Sequence, residues 1–374
     1  MTQLFLQPVD VWLFRDGRPF DPGSGRRAES LFPPYPTVIQ GAIRSKQLTI
    51  KGVSLTDRQK IAQTVGEPLT FNAPPNYKGL LLRGPFLARL NDHTATRYYP
   101  QPADAVSVDT KRHQIRPASV PCETPKAVIT SLPHGLNLLG SGDDLQKGES
   151  GLWLDEIALK EYLRGKTVTG RPASELFQRE NRIGIGVNDT QQTVEEGLLY
   201  EVEFIRLQKD IGLLVEMNGY SGWPANGLLQ VGGESRAAYY KSVSVEDWPG
   251  APSPLPQFFK VYFATPAYFD NGWQPKNWSD FFDGKVTLRA AALHRYESVG
   301  GFDWAANPTD ARAHRSSRRY TPAGSVYYFE CESKAKLKSN LLQRALTNFG
   351  AEIGFGQIII PAFNWKTSQE ESHV

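Results

Sequence analysis

The most constraining feature of this sequence is how often its backbone is interrupted. Among 374 residues there are 33 glycines and 27 prolines, about one position in six. Proline removes a backbone donor and locks φ, and glycine weakens any regular element that it enters. The frequency falls well short of collagen-like or low-complexity levels, yet it demands many turns and irregular connections. An apolar fraction of 40% still provides for real cores, and a charged fraction of 22% is ordinary, so wholesale disorder is excluded. The length predicts two domains, with a large insertion.

Leu4 to Phe14 reads as a strand covered on both faces, because Val9, Val11 and Leu13 alternate with Asp10, Trp12 and Phe14 and both sets are largely apolar. Residues 15–27 hold Gly17, Pro19, Pro22, Gly23 and Gly25, which force turns, and Arg15, Arg18, Arg26 and Arg27, which ride on them. Pro33 and Pro34 exclude helix, whereas Pro36 suits a first helical turn and Val38, Ile39, Ala42 and Ile43 keep helical spacing after it. Gly41 inside this helix costs roughly 1 kcal/mol against alanine, so another backbone or a ligand is expected to approach closely there.

From about residue 68 to 150 the chain turns proline-rich and polar, which predicts a long irregular insertion holding short strand-like pieces such as Gly79 to Leu90, with an exposed part from about Gln101 to Ser150. Regular structure resumes with a strand at Gly151 to Leu154 and a helix around Ile157, Tyr162 and Leu163. A strand from Gly197 to Leu207 is expected to pair with Ile211 to Met217 through the short link Gln208–Lys209–Asp210. Further strands are expected at 258–264, 326–331 and 357–360, and a helix at 337–346. Strands with a few segregated helices predict an α+β fold. The boundary is expected at 190–200, which separates domains of 1–195 and 196–374.

The 42 basic and 39 acidic residues leave a net charge of only +3, which excludes a polybasic nucleic-acid binder. That sum leaves room for a local basic groove. Arginines beside glycines in 15–27 suit phosphate oxygens, although a solvated surface loop has the same composition. Arg312, Arg315, Arg318 and Arg319 face one acidic residue, Asp310, in the segment 309–320, a local +3. Asn348 to Gly356 contains Gly350, Gly354 and Gly356 in neither a dinucleotide nor a P-loop pattern. A helix cap and bulge explain that spacing; so does a loop lying on an RNA backbone with Phe355 free to stack on a base.

Catalytic signals are thin. The six histidines form no metal-ligand pattern, and neither Cys122 nor Cys331 sits in a motif, so no metal, cofactor or catalytic residue is expected. His294 and His314 lie among arginines, which leaves a metal-free ribonuclease with Tyr320 as their partner open. No signal peptide or membrane span is read, and unclustered cysteines fit a cytoplasmic setting.

The run Pro8-Val9-Asp10-Val11-Trp12-Leu13-Phe14-Arg15-Asp16-Gly17-Arg18-Pro19-Phe20, followed by Leu31-Phe32-Pro33-Pro34-Tyr35-Pro36-Thr37-Val38-Ile39-Gln40-Gly41-Ala42-Ile43-Arg44, closely resembles the family of the third subunit of the Cmr complex. This family belongs to the RAMP superfamily and serves the RNA-targeting type III-B CRISPR effector. Arg182-Ile183-Gly184-Ile185 resembles its central block, Gly232-Gly233-Glu234-Ser235-Arg236 a later one, and Ile353-Gly354-Phe355-Gly356 the C-terminal glycine-rich loop. Residues 66–180 match least.

The resemblance implies two ferredoxin-like (RRM-like) domains and a non-catalytic role in antiviral defence. That role is to hold the 5′ repeat-derived tag of the crRNA while docking the large polymerase-like subunit and backbone RAMP subunits, with target RNA met only indirectly. The residues implied for RNA are Arg15, Arg18, Arg26, Arg27, Thr37, Gly41 and Arg44 at the N-terminal motif. In the later blocks they are Arg182, Arg236, His294, Arg295, Arg312, His314, Arg315, Gly354, Phe355 and Gly356. The readings that stay open are processing of precursor crRNA by cleavage and a purely architectural subunit.

Overall fold

The computed structural model describes residues 1–15, 27–66, 76–119, 132–133, 135–140, 150–187, 194–302, 314–332 and 334–362. The fold is α+β, mostly strands, with three α-helices among the described residues. Two compact units form, each from three stretches of chain, so the chain is not divided at a single point near residue 195. One unit comprises 1–95, 174–245 and 299–318; the other comprises 96–173, 246–298 and 319–374.

In the first unit, strand Thr2–Pro8 lies antiparallel between Ile211–Asn218 and Ala237–Ser242. Asn226–Gln230 adds beyond Ala237–Ser242, and Leu81–Asn91 pairs the far side of Ile211–Asn218. The expected first strand stops early, at Pro8, because proline has no donor to continue the ladder. The chain then crosses to a second sheet, where Trp12 bridges Ile205 and Arg15 bridges Ser30.

The expected hairpin is also corrected. Val194–Leu207 pairs with Phe177–Val187, not with Ile211–Asn218. Ile211 to Met217 is buried at every position, so this strand needs a strand on each side and a layer on each face. Those requirements are met by Thr2–Pro8 and Leu81–Asn91, and Gln208–Asp210 merely changes sheets.

Nor is 68–150 irregular where it is described, since it holds strands Leu81–Asn91, Thr94–Pro100, Ala105–Asp109 and Gln114–Pro117. Gly84-Pro85, inside the strand-like piece expected at Gly79 to Leu90, forms a bulge in Leu81–Asn91. Gly84 has φ +96, a Cβ there would sit 2.8 Å from the Leu214 carbonyl oxygen, and the register shifts between Leu214 and Glu216. Helix α1, Pro36–Ile50, begins at the expected proline and buries Ile39, Ala42, Ile43 and Leu48. Helix α2, Arg58–Val65, follows behind the Asp57 cap, whose carboxylate accepts from Lys60 N at 3.0 Å.

The second unit is built on an antiparallel sheet ordered Val286–Ala292, Val326–Cys331, Phe258–Phe263, Ile358–Ile359. Its core is aromatic: Phe259, Phe263, Phe269, Phe282, Tyr327 and Phe329 are all buried. Helix α3, Glu156–Leu163, buries Leu159, Tyr162 and Leu163, while Ile157, expected on the apolar face, is 74% exposed. Helical spacing groups 159, 162 and 163 and turns 157 outward. The helix expected at 337–346 is absent. Gln343 and Arg344 have φ of 52° and 57°, a left-handed pair that a right-handed helix excludes.

One buried polar cluster stands out in this unit. Asp104 accepts from the Tyr162 hydroxyl at 2.7 Å and from the Tyr328 hydroxyl. Lys260, 1% exposed, lies 5.4 Å and 5.8 Å from the centroids of those two rings. Tyr262 donates to the Pro100 carbonyl at 2.7 Å. Burial pushes the hydroxyls of Tyr162, Tyr262 and Tyr328 well above the ordinary 10.0, and pulls the Lys260 amine below 10.5 against the attraction of Asp104.

The signs of these shifts set a pH dependence. The unfolded chain gives up its tyrosine protons near pH 10 while the folded chain keeps them, so stability falls above that pH. Lys260 acts oppositely, since the unfolded chain holds the extra proton up to 10.5, but its contribution ends there. Each of three tyrosines then removes about 1.4 kcal/mol per pH unit. Alkaline titration followed at 295 nm is expected to show these tyrosines ionising only as the circular dichroism of the fold is lost. Ordinary titration of every tyrosine near pH 10 with the fold intact would refute it.

Candidate nucleic-acid interface

The arginine loop of residues 15–27 is anchored at both ends in the first unit. Arg27–Ala28 pairs parallel with Glu201 and Val202, and Leu31 N donates to the Phe14 carbonyl at 2.8 Å. The anchor is Glu203, 4% exposed, whose carboxylate receives Arg27, Arg179 and the Ser30 amide. Ser30 returns its hydroxyl to the Glu203 carbonyl at 2.7 Å and accepts Phe14 N at 3.2 Å. Arg15 is exposed at one end of this stem. Arg27, expected to face RNA, spends its guanidinium on Glu203 and Asn181. Arg18 and Arg26 lie outside the described residues.

Three sequence blocks converge beside this stem. Asp10 accepts from Arg182 at 3.1 Å and Arg206 at 3.0 Å, with Arg236 at 3.9 Å. Glu180 takes Arg206 at 2.5 Å and Arg182 at 2.8 Å, and Glu234 takes Arg236 at 3.4 Å. The Arg182 hydrogen bond, then that of Arg206, holds the Asp10 carboxyl below its ordinary value; the Arg206 and Arg182 hydrogen bonds do the same for Glu180. Arg182 and Arg236 also lie 5.0 Å and 4.8 Å from the centroid of the buried Phe204 ring. Three arginines thus meet three carboxylates. Their charges are balanced within the fold, and the two expected to grip phosphate, Arg182 and Arg236, serve this network.

In α1 the expectations separate. Arg44 is buried, with Nε and Nη2 donating to the Val65 and Gly66 carbonyls at 3.0 Å and 2.6 Å, so it closes the end of α2 and does not face a ligand. Thr37 is half-buried in the first turn, after Tyr35, which supplies no side-chain cap. Among the described residues no backbone presses on Gly41: a Cβ built there would meet none of their atoms within 4 Å. Packing among the described residues therefore does not account for this glycine.

In the second unit the glycine-rich loop is internal. Gly354 and Gly356 are buried, Thr265 Oγ1 donates to the Gly354 carbonyl at 2.7 Å, and Gly356 N donates to the Pro266 carbonyl at 2.8 Å. Phe355, expected to stack on a base, is 0% exposed, with its ring 4.6 Å from that of Tyr320. A Cβ at Gly350 would fall 2.7 Å from the Phe355 ring, so glycine there makes room for that ring. Tyr320 is itself 2% exposed, which removes it as a solvent-facing acid for a ribonuclease.

Tyr320 points inward, and its neighbour Arg319 is exposed, as alternation along strand His314–Thr321 requires. Arg319 stacks 4.8 Å from the centroid of Tyr296, a ring 47% exposed. His294 and Arg295, just before it and implied for RNA, are exposed. Neither Arg295 nor Arg319 has an ion pair among the described residues, unlike Arg27, Arg182, Arg206 and Arg236. His314 and Arg315 begin the strand, their side chains outside the description, and Arg312 lies outside it altogether. Arg319 belongs to the basic segment 309–320 but was not among the residues implied for RNA, and Tyr296, next to Arg295, was not singled out. Among the described residues no helix is long and apolar enough to cross a membrane.

A family model described as CRISPR-associated protein (Cas_Cmr3) matches residues 4–362. No curated protein matches the chain. Among solved structures, it is similar to a chain of the type III-B Cmr-beta complex bound to cognate target RNA and AMPPnP, with 14% identity, a TM-score of 0.47, and 87% of this chain and 86% of that one covered. The same complex with cognate target RNA gives 15%, 0.46, 87% and 86%. A chain of the Csm3–Csm4 subcomplex of the type III-A CRISPR-Cas interference complex gives 11%, 0.39, 97% and 100%.

Proposed function

The chain belongs to the CRISPR-associated Cas_Cmr3 family, matched over residues 4–362, and from this we propose that it is the third subunit of a type III-B (Cmr) effector complex. In this reading it is non-catalytic and works in the cytoplasm. It holds the 5′ repeat-derived tag of the crRNA and docks the large polymerase-like subunit and the backbone RAMP subunits. Its two ferredoxin-like domains present glycine, arginine and aromatic surfaces to a single strand, whose splayed bases and phosphates need those groups.

The observation that carries the reading is Gly41. A glycine inside a helix costs about 1 kcal/mol, and here no neighbour among the described residues requires it. A strand passing close to α1, with the uncapped helix start favouring its phosphates, supplies the missing reason.

The reading is tested by separating stability from binding. Gly41→Ala is expected to stabilise the isolated chain by up to about 1 kcal/mol, measured by urea unfolding. Gly41→Leu is expected to leave the chain folded while lowering crRNA retention in the assembled complex about tenfold, as overpacking at a tight contact does. Full crRNA retention by Gly41→Leu would count against a strand at this helix. The balanced cluster around Asp10 favours an architectural share for that surface, because its arginines already have partners.

A further inference from the structure

The exposed Tyr296–Arg319 pair is unlike every other arginine site described above. Its ring is 47% exposed, and the guanidinium carbon stands 4.8 Å from the ring centroid. The pair is held from behind, since Tyr320 points inward onto Phe355 at 4.6 Å and anchors the backbone that carries Arg319. Beside it, Arg295 and His294 are exposed, and among the described residues Arg295 and Arg319 carry no carboxylate. An acidic peptide would be drawn to the charge alone and would gain nothing from an open aromatic face. An unstacked base uses both, through the ring or the guanidinium plane, while its flanking phosphates fall to Arg295.

We propose that Tyr296 and Arg319 form a stacking platform for one unpaired base of a single-stranded RNA. This deepens the RNA-holding reading above and rests on it. The platform selects for an unpaired strand over a duplex, because only a splayed base offers its face to a side chain. Sequence preference is weak, since every base has such a face.

The test titrates the full chain with a short single-stranded RNA carrying 2-aminopurine, over a range of salt. Tyr296→Ala is expected to weaken binding about tenfold and to abolish quenching of the 2-aminopurine, with the salt dependence unchanged. Tyr296→Trp is expected to retain both. Arg295→Gln is expected to reduce the slope of log K against log salt by about 0.7, one phosphate's worth on a single strand, and to leave the 2-aminopurine quenching of the bound complex in place. If RNA still binds and Tyr296→Ala alters neither affinity nor quenching, the platform is overturned and the RNA-holding reading survives. If the wild-type chain binds no single-stranded RNA, alone or within its complex, that reading falls and takes the platform with it. Loss of an acidic protein partner with RNA binding intact would also overturn the platform.

Discussion

Asp104→Ala is expected to cost the fold about 3–5 kcal/mol, the largest effect of any single substitution considered for this chain. The carboxyl group is 3% exposed and receives the hydroxyls of Tyr162 and Tyr328, both buried. Its removal strands two hydroxyls that no water reaches, each worth about 1–3 kcal/mol. It also takes away the opposite charge that favours the protonated form of Lys260. Urea unfolding at neutral pH measures the loss. The double variant Asp104→Ala with Lys260→Met is expected to recover part of it, because the buried amine left alone is what costs most. A loss below about 1 kcal/mol, or strict additivity in that cycle, would show that these groups do not act together.

The second large effect is expected at Glu203. Its side chain is 5% exposed, but Arg27 and Arg179 are 37% and 47% exposed, so both regain water when the carboxylate is removed. The cost of Glu203→Ala is therefore put lower, at about 2 kcal/mol, and falls mainly on the Ser30 amide. Its consequence for function is larger than its energy. Glu203 ties Arg27 and Ser30 to the sheet, so the stem of the 15–27 loop loses one wall. Faster trypsin cleavage at Arg15 and Arg27 is expected, with Glu203→Gln intermediate because it keeps an acceptor without the charge. Unchanged cleavage in Glu203→Ala would mean that the Phe14–Leu31 backbone pairing holds the stem by itself.

Much of the local structure was legible in the chain. Pro36 opens α1, and the apolar run of Ile211 to Met217 becomes a fully buried strand. The misreadings have a common origin. The proline content of 68–150 was read as a long irregular insertion with short strand-like pieces, although a bulge at Gly84-Pro85 and a strand end at Pro100 let those prolines sit within continuous strands. The pairing of Val194–Leu207 with Phe177–Val187 could not be told from a link of three residues, because register depends on which partner strands remain unoccupied.

Site residues divide in the same way. Gly41 drew attention from the sequence alone, since a glycine inside a helix is a property of one element, and the structure shows no described backbone against it. The fates of Arg44, Arg182, Arg236 and Phe355 were not legible there. Each was implied for RNA by the family resemblance, and each has partners inside the fold: helix carbonyls, carboxylates, or Tyr320.

By itself the sequence determined the α+β composition, the start of α1 and the family, because propensity, punctuation and motif are local properties. Tertiary structure alone decided which charges are free. An arginine already paired with a carboxylate brings less unbalanced charge to a phosphate than an unpaired one. Those carboxylates come from far along the chain: Asp10 lies 172 residues from Arg182, and Glu203 lies 176 from Arg27. Of the arginines expected at the RNA and described here, Arg295 is left without an ion pair among the described residues, beside an Arg319–Tyr296 stack that sequence reasoning did not single out.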